Sequence, residues 1–201
     1  AHSVAPPSAS SLSLLGDMYL NEDAHELALY NYQAALKQDP TTRPEQALKP
    51  LRRLMQLGLF DAARTYLKLI DSSLQSELSP EQAAEKTVVS AQLTIEAGNL
   101  EQGLAQLQSV LNKQPLNGDA LLLMANVQLD QEAYATATFY FERATSVLEV
   151  QVEALVGLAR TAVAQSRFHA ALKHLQQSQR IKQRPDVAQF MASIEKVIAA
   201  Q

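Results

Sequence analysis

Apolar and small side chains along this chain fall into a frame that recurs about every 34 residues. The clearest pair of segments surrounds Ala137 and Ala171. Leu121 aligns with Leu155, Met124 with Leu158, Ala125 with Ala159, Tyr134 with Phe168 and Phe141 with Leu175. One step back, Leu100, Gly103, Leu107 and Val110 take the same places. Near the start Leu12, Leu15, Gly16, Tyr19, Ala28, Tyr32, Ala35 and Pro40 do so again. Segment 44–77 fits more loosely, through Gly58, Phe60, Ala63, Leu67 and Ile70. The frames start at 9, 44, 84, 118 and 152. Each holds two apolar runs at helical spacing, parted by turn residues at Asn21–Asp23, Gly58, Gly98–Asn99 and Ser166. The pattern predicts two short antiparallel helices per unit, with stacking between units completing the core.

Small residues mark where the two helices of a unit meet. Gly16, Ala91, Ala125 and Ala159 in the eighth place face Ala28, Gly103, Ala137 and Ala171 in the twentieth, where bulk would push the helices apart. The second unit carries Pro50 inside its first helix, so that helix either kinks or starts near Pro50, with residues 43–49 forming a separate turn. The third opens on Ser79-Pro80-Glu81-Gln82, a helix-start signal that predicts a first helix about one turn longer than the others. After the fifth unit, Pro185 restarts a helix over 185–201. Its Val187, Phe190, Met191, Ile194, Val197 and Ile198 suit a cap on the last repeat. Residues 1–11 are rich in Ala, Ser and Pro and read as a flexible linker.

This pattern resembles the tetratricopeptide repeat family, whose Leu-Gly, Tyr, Ala, Phe and Pro positions the first unit matches almost throughout, with Leu12 where the family often has Trp. The resemblance covers about residues 9–183. It implies an all-α, right-handed α-solenoid over 12–184, with repeats near 9–42, 44–77, 80–117, 118–151 and 152–184. It implies a non-enzymatic module that binds other proteins. The family's Lys/Asn/Lys/Arg clamp for a C-terminal carboxylate is absent here, since the matching places hold Ser13, Asp17, Glu85 and Val89.

Composition narrows the chemistry. The 201 residues are 47% hydrophobic and 19% charged, enough for a core and too apolar for a disordered chain. With Cys 0 there is neither a disulfide framework nor a thiolate ligand or nucleophile. Net charge is −4, with 10 basic and 18 acidic residues in 1–151 and 7 against 3 in 152–201. An acidic whole argues against nucleic acid as a partner, and the longest apolar stretches are too short to span a membrane. The four histidines have no metal-ligand spacing. Gly98 and Gly103 mimic a phosphate loop, but Leu104 stands where its Lys belongs, so no metal, cofactor or catalytic residue is expected. The Ala/Ser/Pro start, the lack of Cys and the high Gln content look similar to processed bacterial envelope proteins, secreted or lipid-anchored. A periplasmic or envelope location is the expectation, with roles in pilus or secretion assembly.

The family's geometry places the first helix of each pair along the inner groove. Its fifth and twelfth places hold Leu48, Met55, Val88, Ile95, Leu122, Leu129 and Val156 among others. The ninth holds Asp17, Arg52, Gln92, Asn126 and Arg160, polar in every unit. The expectation is an apolar groove with a central polar ladder. Arg52 and Arg160 would take carboxylates of a partner's peptide or helix, and Asn126 and Gln92 its backbone. The bland reading has the same aliphatics packing between neighbouring first helices. The acidic second places, Glu45, Glu85, Asp119 and Glu153, read best as charges complementing the helix dipole. Arg160, Arg167, Lys173, Arg180, Lys182 and Arg184 make the C-terminal end basic, either as a docking patch for an acidic partner or as a solvated face. A self-associating assembly platform and a regulatory region of a larger protein are the alternatives to the scaffold reading.

Overall fold

The computed structural model describes residues 6–200, and among these there are eleven α-helices and no strands. They divide into two compact units, residues 1–103 and 104–201. The first holds α1 (Ala9–Asn21), α2 (His25–Gln38), α3 (Pro44–Gln56), α4 (Phe60–Ser73) and α5 (Pro80–Glu96), and α6 (Leu100–Lys113) begins in it. The second holds most of α6, then α7 (Gly118–Asp130), α8 (Tyr134–Ala144), α9 (Gln151–Ala164), α10 (Phe168–Ile181) and α11 (Pro185–Ala199). Each unit is built of antiparallel helix pairs stacked as in an all-α solenoid.

Turn chemistry and small residues explain the pairing. The fifteenth place of every frame is left-handed: Asp23, Gly58, Gly98, Glu132 and Ser166 have φ of 58°, 69°, 87°, 57° and 57°. That one residue reverses the chain, and only two of the five are the glycine that takes this conformation without strain. The helices then close on small side chains, with Ala28, Ala63, Ala91, Ala125, Ala137, Ala159 and Ala171 all at 0% exposure. Gly16 lies against the Tyr32 ring, where a Cβ would sit 2.5 Å from Cε1. Bulkier residues join successive pairs. In the first unit Tyr32, Leu48, Leu51, Tyr66 and Ile70 share one core, with the Tyr32 and Tyr66 rings 6.1 Å apart. In the second, Phe141 packs with Ala125, Leu155 and Leu158, its ring against Gly157.

Several boundaries sharpen the sequence reading. Pro44 opens α3 behind an extended Arg43, and the helix runs through the buried Pro50, so the separate turn over 43–49 does not exist. The capping box of Ser79 and Gln82 is formed, and α5 has 17 residues where α1, α3, α7 and α9 have 13 or 14. Residues 9–11 of the linker expected over 1–11 are helical instead. Ser8 accepts the Ser11 N–H at 3.2 Å and α1 begins at Ala9, because a capped Ala-Ser-Ser run needs no apolar face of its own to enter a helix. Residues 1–5 of that expected linker lie outside the described residues. At the other end α11 covers the fifth pair with Val187 and Ile194 buried and Phe190, Met191 and Ile198 half-buried against Ala171 and Leu175.

Candidate functional site

The ladder residues lie on α1, α3 and α5 in the first unit and on α7 and α9 in the second. In the first unit they are already engaged. Asp17 accepts from the Tyr32 hydroxyl at 2.7 Å and from Lys49 Nζ at 2.6 Å, which ties α1 to α2 and α3. Arg52 is gripped from two sides. Its Nη1 and Nη2 donate to Glu45 at 2.5 and 3.1 Å, while Nε and Nη2 donate to Glu85, the latter at 2.8 Å. These bonds raise the Arg52 pKa above its ordinary value, Glu85 contributing most and Glu45 next. They hold the Glu45 carboxyl below the usual carboxylate range. Arg52 is therefore a clamp between α3 and α5, and the expectation that it awaits a partner's carboxylate is corrected: the chain supplies two of its own.

The signal for this was present in the sequence. Glu45 precedes Arg52 by two helical turns on one face, and Glu85 occupies the same second place in the next first helix. Reading the second places as dipole charges missed it. Glu153 likewise reaches beyond its own helix, accepting from Arg184 Nη1 at 3.2 Å. Arg53, one residue past the ladder, donates to Asn21 Oδ1 at 3.2 Å.

The second unit differs. Arg160 is exposed, and its Nη1 donates to the neutral amide oxygen of Asn126 at 3.0 Å. Asn126 is itself fixed, its Nδ2 donating to the Leu122 carbonyl at 2.9 Å. The guanidinium is thus oriented by an amide. Leu122 and Val156 stand beside this pair half-buried against their own clusters.

The apolar places pack more deeply than an open groove requires. Leu48 is 0% exposed, Val88 7% and Leu129 8%. These three form the floor of the packing and present nothing to a partner, which corrects their assignment as contacts. Met55 lies against the first unit's core, and Ile95 is half-buried with its Cγ1 over Gly103. Gln92 is half-buried. Where α1 offers Ser10 and Ser13 in place of bulk, a cleft of about 540 Å3 opens between it, the end of α2 and the start of α3. Leu36, Ala47 and Tyr66 line it, with Asp17 and Lys49 alongside.

At the basic end Arg184 is taken by Glu153 and by Asp186, the latter at 2.6 Å, while Arg167, Lys173, Arg180 and Lys182 are exposed. His174 is half-buried on α10, and burial, then the nearby Lys173 charge, lower its pKa. Among the described residues no helix is long and apolar enough to cross a membrane, and no group of three or more His, Cys, Asp or Glu could hold a metal ion.

No family model matches the chain, and no curated protein matches it. Solved structures do. The chain is similar to TTC0263, a thermophilic TPR protein of Thermus thermophilus, with TM-score 0.62 and 20% identity, covering 93% of this chain and 98% of that one. PilF of Pseudomonas aeruginosa gives TM-score 0.61 and 17% identity over 92% and 82%. YrrB, described as a TPR protein with an unusual peptide-binding site, gives 0.55 and 13% over 92% of each chain. At these identities the likeness is one of fold.

Proposed function

We propose that this chain, which has the tetratricopeptide-repeat fold, is a protein-interaction scaffold that holds a peptide or helix of a partner protein on the faces of its first helices. The observation that carries the reading is the exposed Arg160 guanidinium, oriented by the Asn126 amide while Arg52 is held by two carboxylates of its own chain. A guanidinium fixed by a neutral partner keeps its charge for an incoming carboxylate, and its planar fork suits bidentate pairing. Leu122 and Val156 beside it would meet an apolar side chain next to that acid. In the first unit the cleft at Ser13 has the volume of a small-ligand pocket and would take one bulky side chain. Gln92, Met55 and Ile95 stay in the proposal as flanking contacts and Arg52 as the brace beneath them.

Selection from a random peptide library, followed by titration of the recovered peptides, tests this. The recovered peptides should carry an acidic residue or C-terminal carboxylate beside an apolar one. Arg160→Glu should weaken them at least about tenfold, equivalent to about 1.4 kcal/mol, while Lys173→Glu on α10 should not. Peptides without a carboxylate, or affinity untouched by Arg160→Glu, would refute the reading.

A further inference from the structure

Tyr66 is 2% exposed, and its hydroxyl makes no hydrogen bond among the described residues. Burial raises its pKa, so the group stays a protonated donor. A buried hydroxyl without a partner costs free energy unless water or a ligand reaches it. This one is not sealed from solvent, because Tyr66 lines the cleft of about 540 Å3 in the first unit. The cleft lies inside the stack, walled by α1 and α3, with the buried Leu36 of α2 and Tyr66 of α4 beneath. Two more of its lining residues have polar groups unspent among the described residues. Ser13 has no hydrogen bond, and Gln46 accepts from Thr42 at 3.0 Å while its Nε2 donates to nothing.

A second opening continues the first, since Asp17 and Lys49 line both. Beyond that ion pair Asn21 of α1 and Arg53 of α3 take over the walls. Arg53 is exposed and has no ion pair among the described residues, its Nη2 donating to the Asn21 amide oxygen at 3.2 Å. It is held as Asn126 holds Arg160, by a neutral group that leaves its charge for an incoming carboxylate. Asp17 with Lys49 and Asn21 with Arg53 set α1 and α3 side by side in one register. Ser13 and Asn21 are thus two turns apart, about 12 Å along α1. An extended peptide covers that distance in about three or four residues.

The unpaired hydroxyl selects the side chain. A purely apolar group in the cleft would expel water and leave the Tyr66 proton without an acceptor. An indole N–H only donates and would leave it so too. A phenol oxygen accepts, and its ring suits Leu36 and Ala47. We infer that the α1–α3 groove of the first unit reads an extended segment of a partner protein through a tyrosine seated against Tyr66 and an acidic residue three or four positions away on Arg53. The inference rests on the peptide-binding reading but not on Arg160.

Capped peptides holding Tyr and Glu with two or three alanines between them, in either order, test it by titration into the isotope-labelled full chain followed by NMR. Versions with Phe for Tyr, or Gln for Glu, complete the set. At least one Tyr/Glu probe should saturate, and its Phe version should bind about fivefold more weakly. On Tyr66→Phe the Tyr and Phe versions should bind alike, and on Arg53→Gln the Glu and Gln versions should. Tyr66→Phe should keep the native melt, because its hydroxyl holds nothing in the fold. Arg160→Glu should leave every one of these affinities unchanged, so the Arg160 reading can fail while this one stands. Library peptides that respond to Arg160→Glu but ignore Tyr66→Phe and Arg53→Gln would overturn this inference alone. So would probes that fail to bind, a Tyr preference that survives Tyr66→Phe, or a Glu preference that survives Arg53→Gln.

Discussion

Gly157 and Phe141 form a size-matched pair whose perturbation can be worked through. A Cβ on residue 157 would lie well inside van der Waals contact of three ring carbons of Phe141. That ring is 1% exposed and enclosed by Ala125, Leu155 and Leu158, so it has nowhere to swing. Overpacking of this kind costs about 1–3 kcal/mol, while Gly to Ala in a helix returns roughly 1 kcal/mol of propensity. Gly157→Ala should therefore destabilise by about 1 kcal/mol, against the direction propensity alone gives. Phe141→Leu should cost about 1–2 kcal/mol as a modest large-to-small change. Combined, the smaller side chain makes room for the new methyl group, and the double variant should be more stable than the sum by about 1 kcal/mol, a coupling typical of touching residues. Urea unfolding followed by helical circular dichroism measures each term, provided the slope with denaturant stays constant across the four proteins. Strict additivity, or a stabilised Gly157→Ala, would refute the claim that this contact sets the spacing of the fourth and fifth pairs.

Glu85→Gln removes the charge from one arm of the Arg52 clamp and should lower stability by about 1 kcal/mol at low salt, a modest value because Arg52 is one-third exposed. The loss should shrink as salt is raised, and a salt-independent loss would point to packing instead. His174 binds its proton less readily folded than unfolded, so its contribution is fully present above the ordinary histidine range and is lost as pH falls through and below it. Replacing His174 with Gln should flatten the decline in melting temperature between neutral and mildly acidic pH, and an unchanged slope would exclude His174 as its source.

The helix pairs were legible in the sequence because small residues recur at the eighth and twentieth places and a turn residue falls between them. The same logic located the Ser79 capping box and the closing helix after Pro185, since caps and prolines act through neighbouring backbone. The start of α1 was not legible from periodicity, because Ala9, Ser10 and Ser11 enter the helix through the Ser8 cap and bury little. The groove was legible only as a list of positions. Whether Arg52 or Arg160 stays available depends on which carboxylates neighbouring helices bring within reach, and that is settled by tertiary approach. Leu48 and Leu129 show the same limit, since an apolar residue on a first helix reads alike whether it meets a partner or the next helix.

The left-handed residue in each interhelical turn has a kinetic consequence. Each turn closes a pair of helices that adjoin in sequence, so the contacts that define a pair form between near neighbours and need no long loop to close. A hairpin of this kind can nucleate wherever it emerges and then template the next. During synthesis, the pair α1–α2 can fold while the last pair is still to be made, so assembly proceeds in the order of translation.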